Sequence, residues 1–190
     1  MRRAIRARVS ALDPTARALE EARLVSRLES LPGFDRSRTV LLYASTFGEE
    51  IDTRPILDAA LRIGKRVACP KVVESERRLR LFEVIEPAVD LVASPRGIPE
   101  ARSGCTEIDP AEVDWALVPG LAFDRRGFRL GRGAGLYDRL LPMLGPETRT
   151  WALILEAQWV DRVPTEPHDR PIGGIADFRA IVDHFTVTRS

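Results

Sequence analysis

The sequence predicts an α/β fold: three α/β/α layers, Rossmann-like, with an open and mostly parallel sheet covered by helices on both faces. Three observations lead there. Short apolar runs rich in β-branched residues recur along the chain, stretches of helical period separate them, and glycine or proline marks the boundaries.

Taken in order, MRRAIRARVSAL at the start reads as a short basic helix. Asp13-Pro14 is an N-cap followed by an N1 proline, opening a second helix that ends near Leu31-Pro32-Gly33. TVLLYAS (39–45) predicts a buried strand. From Arg54 to Ile63, apolar residues at 56, 57, 60, 61 and 63 form one helical face, and Gly64 stops it. KRVACP (65–70) and RLRLFEV (78–84) predict two further strands. WALVPG (115–120) is a strand running into a loop, LYDRLLPMLG (136–145) a helix, and WALILE (151–156) another strand. An apolar content of 44% supplies a full core, so one domain over 1–190 is the expectation.

A formal net charge of +1 argues against a general nucleic-acid binder. No apolar stretch approaches a membrane span, and the N-terminal stretch lacks the apolar core of a secretory signal. Cys69 and Cys105 form no CxxC motif and fit a reducing compartment. The expectation is a cytoplasmic monomer with neither membrane nor nucleic acid as partner. His168 and His184 are the only histidines, and the cysteines lie far apart, which argues against zinc. Apart from Lys65 and Lys71 the basic residues are all arginine, whose planar fork suits phosphate and carboxylate.

The stretch GFRLGRGAGLYDR (127–139) carries the chemistry. Without Cβ atoms at 131, 133 and 135, successive backbone N–H groups can turn toward one anion, and a following helix adds its positive end. Arg129 and Arg132 supply charge-assisted hydrogen bonds for a phosphate chain, and Asp138 could hold a bridging Mg²⁺. The plain alternative is a strand-to-helix connection with solvated arginines. A dinucleotide fingerprint fails because Leu136 stands where GxGxxG needs its last glycine, and no Walker GK[ST] is present. The stretch follows the carboxyl end of the 115–118 strand, where open α/β sheets bind ligands. Asp124 reads as a turn carboxylate capping the loop.

LVPGLAFDRRGFRLGRGAGLYDRLL (117–141) resembles the signature of the 5-formyltetrahydrofolate cyclo-ligases, VPG-x-x-FD-x-x-G-x-RLG-x-G-x-G-x-YD. Other landmarks of that family follow in order: a basic start at Arg2 to Arg6, E-x-x-T at Glu50 to Thr53, GIPE at 97–100 and VPTEPHD at 163–169. The resemblance implies ATP- and Mg²⁺-dependent cyclisation of 5-formyltetrahydrofolate to 5,10-methenyltetrahydrofolate, with release of ADP and phosphate. It places ATP contacts on Arg2, Arg3 and Arg6 and on Arg129, Leu130, Gly131, Arg132, Gly133, Ala134, Gly135, Leu136 and Tyr137. It places folate contacts on Ser45, Glu50 and the run Arg132 to Tyr137, catalysis on Glu50 and Arg132, and Mg²⁺ on Asp138 and Asp169. Solvated helix arginines, a first-turn glutamate and an EPHD turn aspartate are the plain readings of the same residues.

The chain departs from the pattern at four places. Arg2 replaces a common lysine, Leu136 replaces the first tyrosine of YYD, Ala134 stands for glycine or lysine, and Gly173-Gly174 stands for an aspartate. The interval from Tyr43 to Glu50 is one residue longer than usual, which leaves Glu49 and Glu50 competing for one role. Glu50 is taken as the working residue, and Glu49, on a different side of the chain, is expected to be nearly silent. Two further readings stay open: a paralogue acting on another phosphate-dependent substrate, and a non-catalytic nucleotide- or RNA-binding module.

Overall fold

A computed structural model describes residues 1–95, 97–166 and 169–185. The chain begins with α1 (Arg2–Ser10) and α2 (Pro14–Arg27). Asp13 caps α2 by accepting the Ala16 N–H at 2.8 Å, with Pro14 in the first turn, as the Asp-Pro pair predicts. Next come β1 (Thr39–Leu41), α3 (Arg54–Arg62), β2 (Arg66–Val73) and β3 (Arg78–Val84). A short α4 (Pro87–Asp90) leads into the hairpin of β4 (Leu91–Ala93) and β5 (Pro99–Ala101), followed by β6 (Glu107–Ile108). After β7 (Trp115–Leu117), β8 (Ala122–Phe123) pairs antiparallel with β9 (Arg129–Leu130). The chain continues through α5 (Leu136–Leu140), β10 (Arg149–Leu153), β11 (Gly174–Ala176) and β12 (Ile181–Asp183).

Among the described residues the main sheet has eight strands in the order β12-β11-β10-β7-β1-β2-β3-β6. The five from β11 to β2 run parallel, and the strands outside them are antiparallel. Alternation decides what each face meets. Val40, Leu42, Val67 and Trp115 join Ile5, Leu24, Ile56 and Leu57 of the first three helices. Leu41, Ala68, Ala116 and Ala152 point the other way, toward Leu140, Leu144, Phe123 and Ile172. Helices therefore lie on both faces, although α5 covers only part of the second.

Several boundaries moved. The helix expected over 136–145 stops at Leu140 and continues as a 3₁₀ turn, Leu141–Met143, because Pro142 has no N–H and crowds the preceding turn. The strand expected to end at Pro70 runs to Val73, because past Ala68 it pairs only with β3, where a missing N–H is tolerated. The strand expected over 39–45 ends at Leu41, with one further bond from the Leu42 N–H to the Ala68 carbonyl at 2.9 Å.

The β8–β9 hairpin hangs on Asp124, which is fully buried. Its carboxylate accepts the Arg126 N–H at 2.9 Å, the Arg126 guanidinium at 2.6 Å, the Phe128 N–H at 3.3 Å and the Val163 N–H at 2.9 Å. Gly127 closes the turn at φ +86°, and a Cβ there would meet the Ile172 carbonyl oxygen at 2.7 Å. Burial pushes the Asp124 carboxyl up, but the Val163 and Arg126 donors outweigh it and hold it below 3.8. A depressed folded value contributes stability that is present above 3.8 and is lost as pH falls through the lowered value. Asp124→Asn should therefore cost about 2–4 kcal/mol in urea unfolding at neutral pH. The gap to wild type should narrow in acid; equal stability at neutral pH would contradict this account.

Candidate active site

β1 has β2 on one side and β7 on the other, so the strand order reverses there and a crevice opens beyond the carboxyl ends. A cavity of about 810 Å³ fills it, within the range of small-molecule sites. Tyr43 and Ala44 after β1, Pro70 and Val72 of β2, and Pro119 and Gly120 after β7 form one wall. The whole run from Arg129 to Asp138 lines it, as do Arg2, Arg3 and Glu50. Glu166 and Asp169 lie at another edge, beside Pro164 and Thr165. His168 lies outside the described residues.

The glycine run is a strand-to-helix connection, but it joins β9 to α5 and does not leave β7 directly, because the β8–β9 hairpin intervenes. Gly133 at φ +108° and Gly135 at φ +64° take left-handed backbone that side chains disfavour. Arg2 ties α1 to the run by donating from Nε to the Gly131 carbonyl at 2.9 Å. The following helix contributes less field than expected, since five residues sum few peptide dipoles.

Asp138, expected with Asp169 to meet Mg²⁺, is already engaged by an arginine. Arg129, only 5% exposed, donates to the Asp138 carboxylate at 2.6 Å. Burial disfavours the charged guanidinium, while Asp138 and then Tyr137 and Asp169 favour it. The buried Arg129 Nε and Tyr137 hydroxyl have no partner among the described residues. Burial and the neighbouring Glu50 push the Tyr137 hydroxyl far up, so it stays a neutral donor. Asp169 accepts the Glu166 N–H at 2.7 Å, which matches a turn aspartate, and it also faces the cavity. Among the described residues no three His, Cys, Asp or Glu side chains gather around one point.

The acidic pair corrects a second expectation. Glu49 and Glu50 do not lie on opposite sides: Arg132 reaches the Glu49 carboxylate at 3.0 Å and that of Glu50 at 3.7 Å. Glu50 lines the cavity and accepts the Thr46 N–H at 3.3 Å. Burial raises its carboxyl above 4.5, opposed by the Thr46 N–H and by Arg132. Arg6 does not line the cavity; its Nε meets Glu49 at 3.0 Å. Ser45 does not line it either. Its hydroxyl accepts the Thr53 N–H at 3.0 Å and its N–H donates to the Thr53 hydroxyl at 2.8 Å, a reciprocal clasp that shapes the turn.

The match to known proteins decides the family. Residues 1–176 match the model of the 5-formyltetrahydrofolate cyclo-ligase family. The chain belongs to that family. The 5-formyltetrahydrofolate cyclo-ligase of Escherichia coli K12 is 30% identical over 173 residues, 90% of this chain and 94% of that protein. A probable 5-formyltetrahydrofolate cyclo-ligase of Schizosaccharomyces pombe is 31% identical over 137 residues, 71% of this chain and 65% of the longer yeast protein. The NMR structure of Aquifex aeolicus 5,10-methenyltetrahydrofolate synthetase superposes with a TM-score of 0.85 at 30% identity, covering 100% of this chain and 93% of that one.

Within this cyclo-ligase chain several cavity residues escaped the sequence reading. Ile98, Pro99 and Glu100 also line the cavity; GIPE marks the segment in the sequence without assigning it a place. Phe47 lies under Arg132, whose guanidinium carbon is 3.3 Å from the ring centroid. No sequence signal distinguished it. Its ring lines the cavity, an aromatic that Leu136 does not supply. Arg17 holds the same turn through the Gly48 carbonyl and, at 2.7 Å, the Glu50 carbonyl. Gly173 also acquires a reason, since a Cβ there would lie 1.7 Å from the Phe185 ring and an aspartate does not fit. Because Asp138 neutralises a buried arginine, Asp138→Asn should lower stability by about 1–3 kcal/mol, whatever it does to turnover. An unchanged thermal midpoint would show that Arg129 has sufficient compensation without Asp138.

Proposed function

We propose that the chain converts 5-formyltetrahydrofolate and ATP to 5,10-methenyltetrahydrofolate, ADP and phosphate, acting as a single-domain cytoplasmic monomer. One observation carries the reading: Glu50, Arg132, Tyr137, the glycine run and the α1 arginines Arg2 and Arg3 converge on one cavity at the strand-order reversal. The family match supports the chemistry.

An N-formyl oxygen is a poor leaving group. Its attack on the γ-phosphorus releases ADP and leaves a phosphorylated imidoyl carbon. N10 then attacks that carbon, the C–O bond breaks, and phosphate departs with the electron pair. Arg132 and the glycine run are placed to neutralise charge on the transferring group, and positioning supplies most of the acceleration in such transfers. Glu50, held as an acceptor inside the cavity, orients the folate nitrogens and takes the proton that N10 loses. The neutral Tyr137 hydroxyl and the spare Arg129 Nε are donors for substrate oxygens. Asp138 and Asp169 both lie near the Arg129 guanidinium and face the cavity. They suit a Mg²⁺ that arrives with the phosphates, since such an ion needs only one or two carboxylates from the protein and neutralises phosphate charge.

The test mixes the purified chain with 5-formyltetrahydrofolate and MgATP and follows the near-UV absorbance of the methenyl product. Product should require both substrates; ATP hydrolysis without folate turnover would instead favour a paralogue. Arg132→Ala should lower kcat by about 10²–10³. The Glu50 carboxyl is raised above 4.5 by burial, so kcat/KM should fall on the acid side through a value above 4.5. That acid limb should vanish in Glu50→Gln, whose residual rate is low and flat; a persisting limb would assign it to another group.

A further inference from the structure

The turn between β1 and α3 carries an unassigned glutamate in an unusual position. A single oxygen, Glu49 Oε1, meets Arg6 Nε at 3.0 Å and Arg132 at 3.0 Å. The two guanidinium groups come from α1 and from the glycine run. The Glu49 side chain is only 11% exposed, whereas Arg6 and Arg132 are 49% and 31% exposed. Phe47 supports the Arg132 guanidinium from below, and Arg17 fixes the turn by bonding the carbonyls of Gly48 and Glu50.

An anionic oxygen between two arginine forks is also what a bound phosphate supplies. We propose that Glu49 is an internal stand-in for phosphate, a positioning residue that holds Arg6 and Arg132 in register until a nucleotide phosphate displaces it. The inference rests on the ATP reading given above. It has three consequences. Glu49 keeps the two arginine-bearing segments together until phosphate binds. It lowers phosphate affinity, because the incoming anion must compete for both guanidinium groups and approach a carboxylate. Displacement also withdraws Arg132 from Glu50, which then loses a counter-charge as the substrates assemble.

The deciding measurement is calorimetric titration of MgATP, and separately of inorganic tripolyphosphate, into the wild-type chain, Glu49→Gln and Glu49→Asp. Removing a partly buried competing charge should tighten both ligands by about three- to tenfold in Glu49→Gln. Glu49→Asp, which keeps the charge, should return affinity toward wild type. A merely structural glutamate would give the opposite pattern, a lower thermal midpoint with equal or weaker binding, and that result overturns the proposal. Failure of the wild-type chain to bind MgATP would overturn the nucleotide reading itself, a different outcome from unchanged affinity in the variant. Should Glu49→Gln not fold, Glu49→Ser is read by the same criterion.

Discussion

The carboxylate of Asp124 collects donors from two separate pieces of chain, its own hairpin turn and the segment at Val163. A buried anion without those donors would be costly, so the two pieces cannot separate without exposing or stranding it. Their union holds β8 and β9 over the carboxyl ends of the parallel strands. Arg129 leaves the hairpin already buried, and the glycine run starts from that fixed point. On the other side, the chain after Val163 carries Thr165 to the rim of the same cavity. Both rims of the site thus depend on one carboxylate that does not itself line the cavity.

Charge is distributed inside the site by a similar logic. A protein with a net charge of +1 has no general excess of positive charge to attract phosphate. Instead, individual arginines are held in place by individual acids: Arg129 by Asp138, and Arg6 and Arg132 by Glu49. Paired charges can be kept close together without the mutual repulsion that a bare arginine cluster would suffer. An incoming anion then replaces an internal one, and arginines that composition alone would describe as solvated become a preorganised site.

Much of the fold was legible because its signals are local. The Asp13-Pro14 cap, the apolar face of α3, the β3 strand over 78–84 and the glycine run each depend on neighbours within a turn or two. Where a non-local condition entered, the reading slipped. The length of β2 depends on where β1 leaves the sheet, and the β8–β9 hairpin is held by Val163, which lies far along the chain. Within the site, the family signature located the Arg129–Asp138 run. It did not reveal Phe47 beneath Arg132, the inward-facing Glu100, or the clasp that occupies Ser45.

The sequence by itself determined the alternation of strands and helices, the family, and the run of residues that lines the cavity, because periodicity and a contiguous motif survive without three dimensions. Only the tertiary structure decided which charges face one another. Glu49 and Glu50 are adjacent in sequence and compete for one role there. The turn that Arg17 and Thr53 hold gives one of them two arginines and the other the cavity. An ion pair is a property of distance, and the distances here are set by segments folded together from opposite ends of the chain.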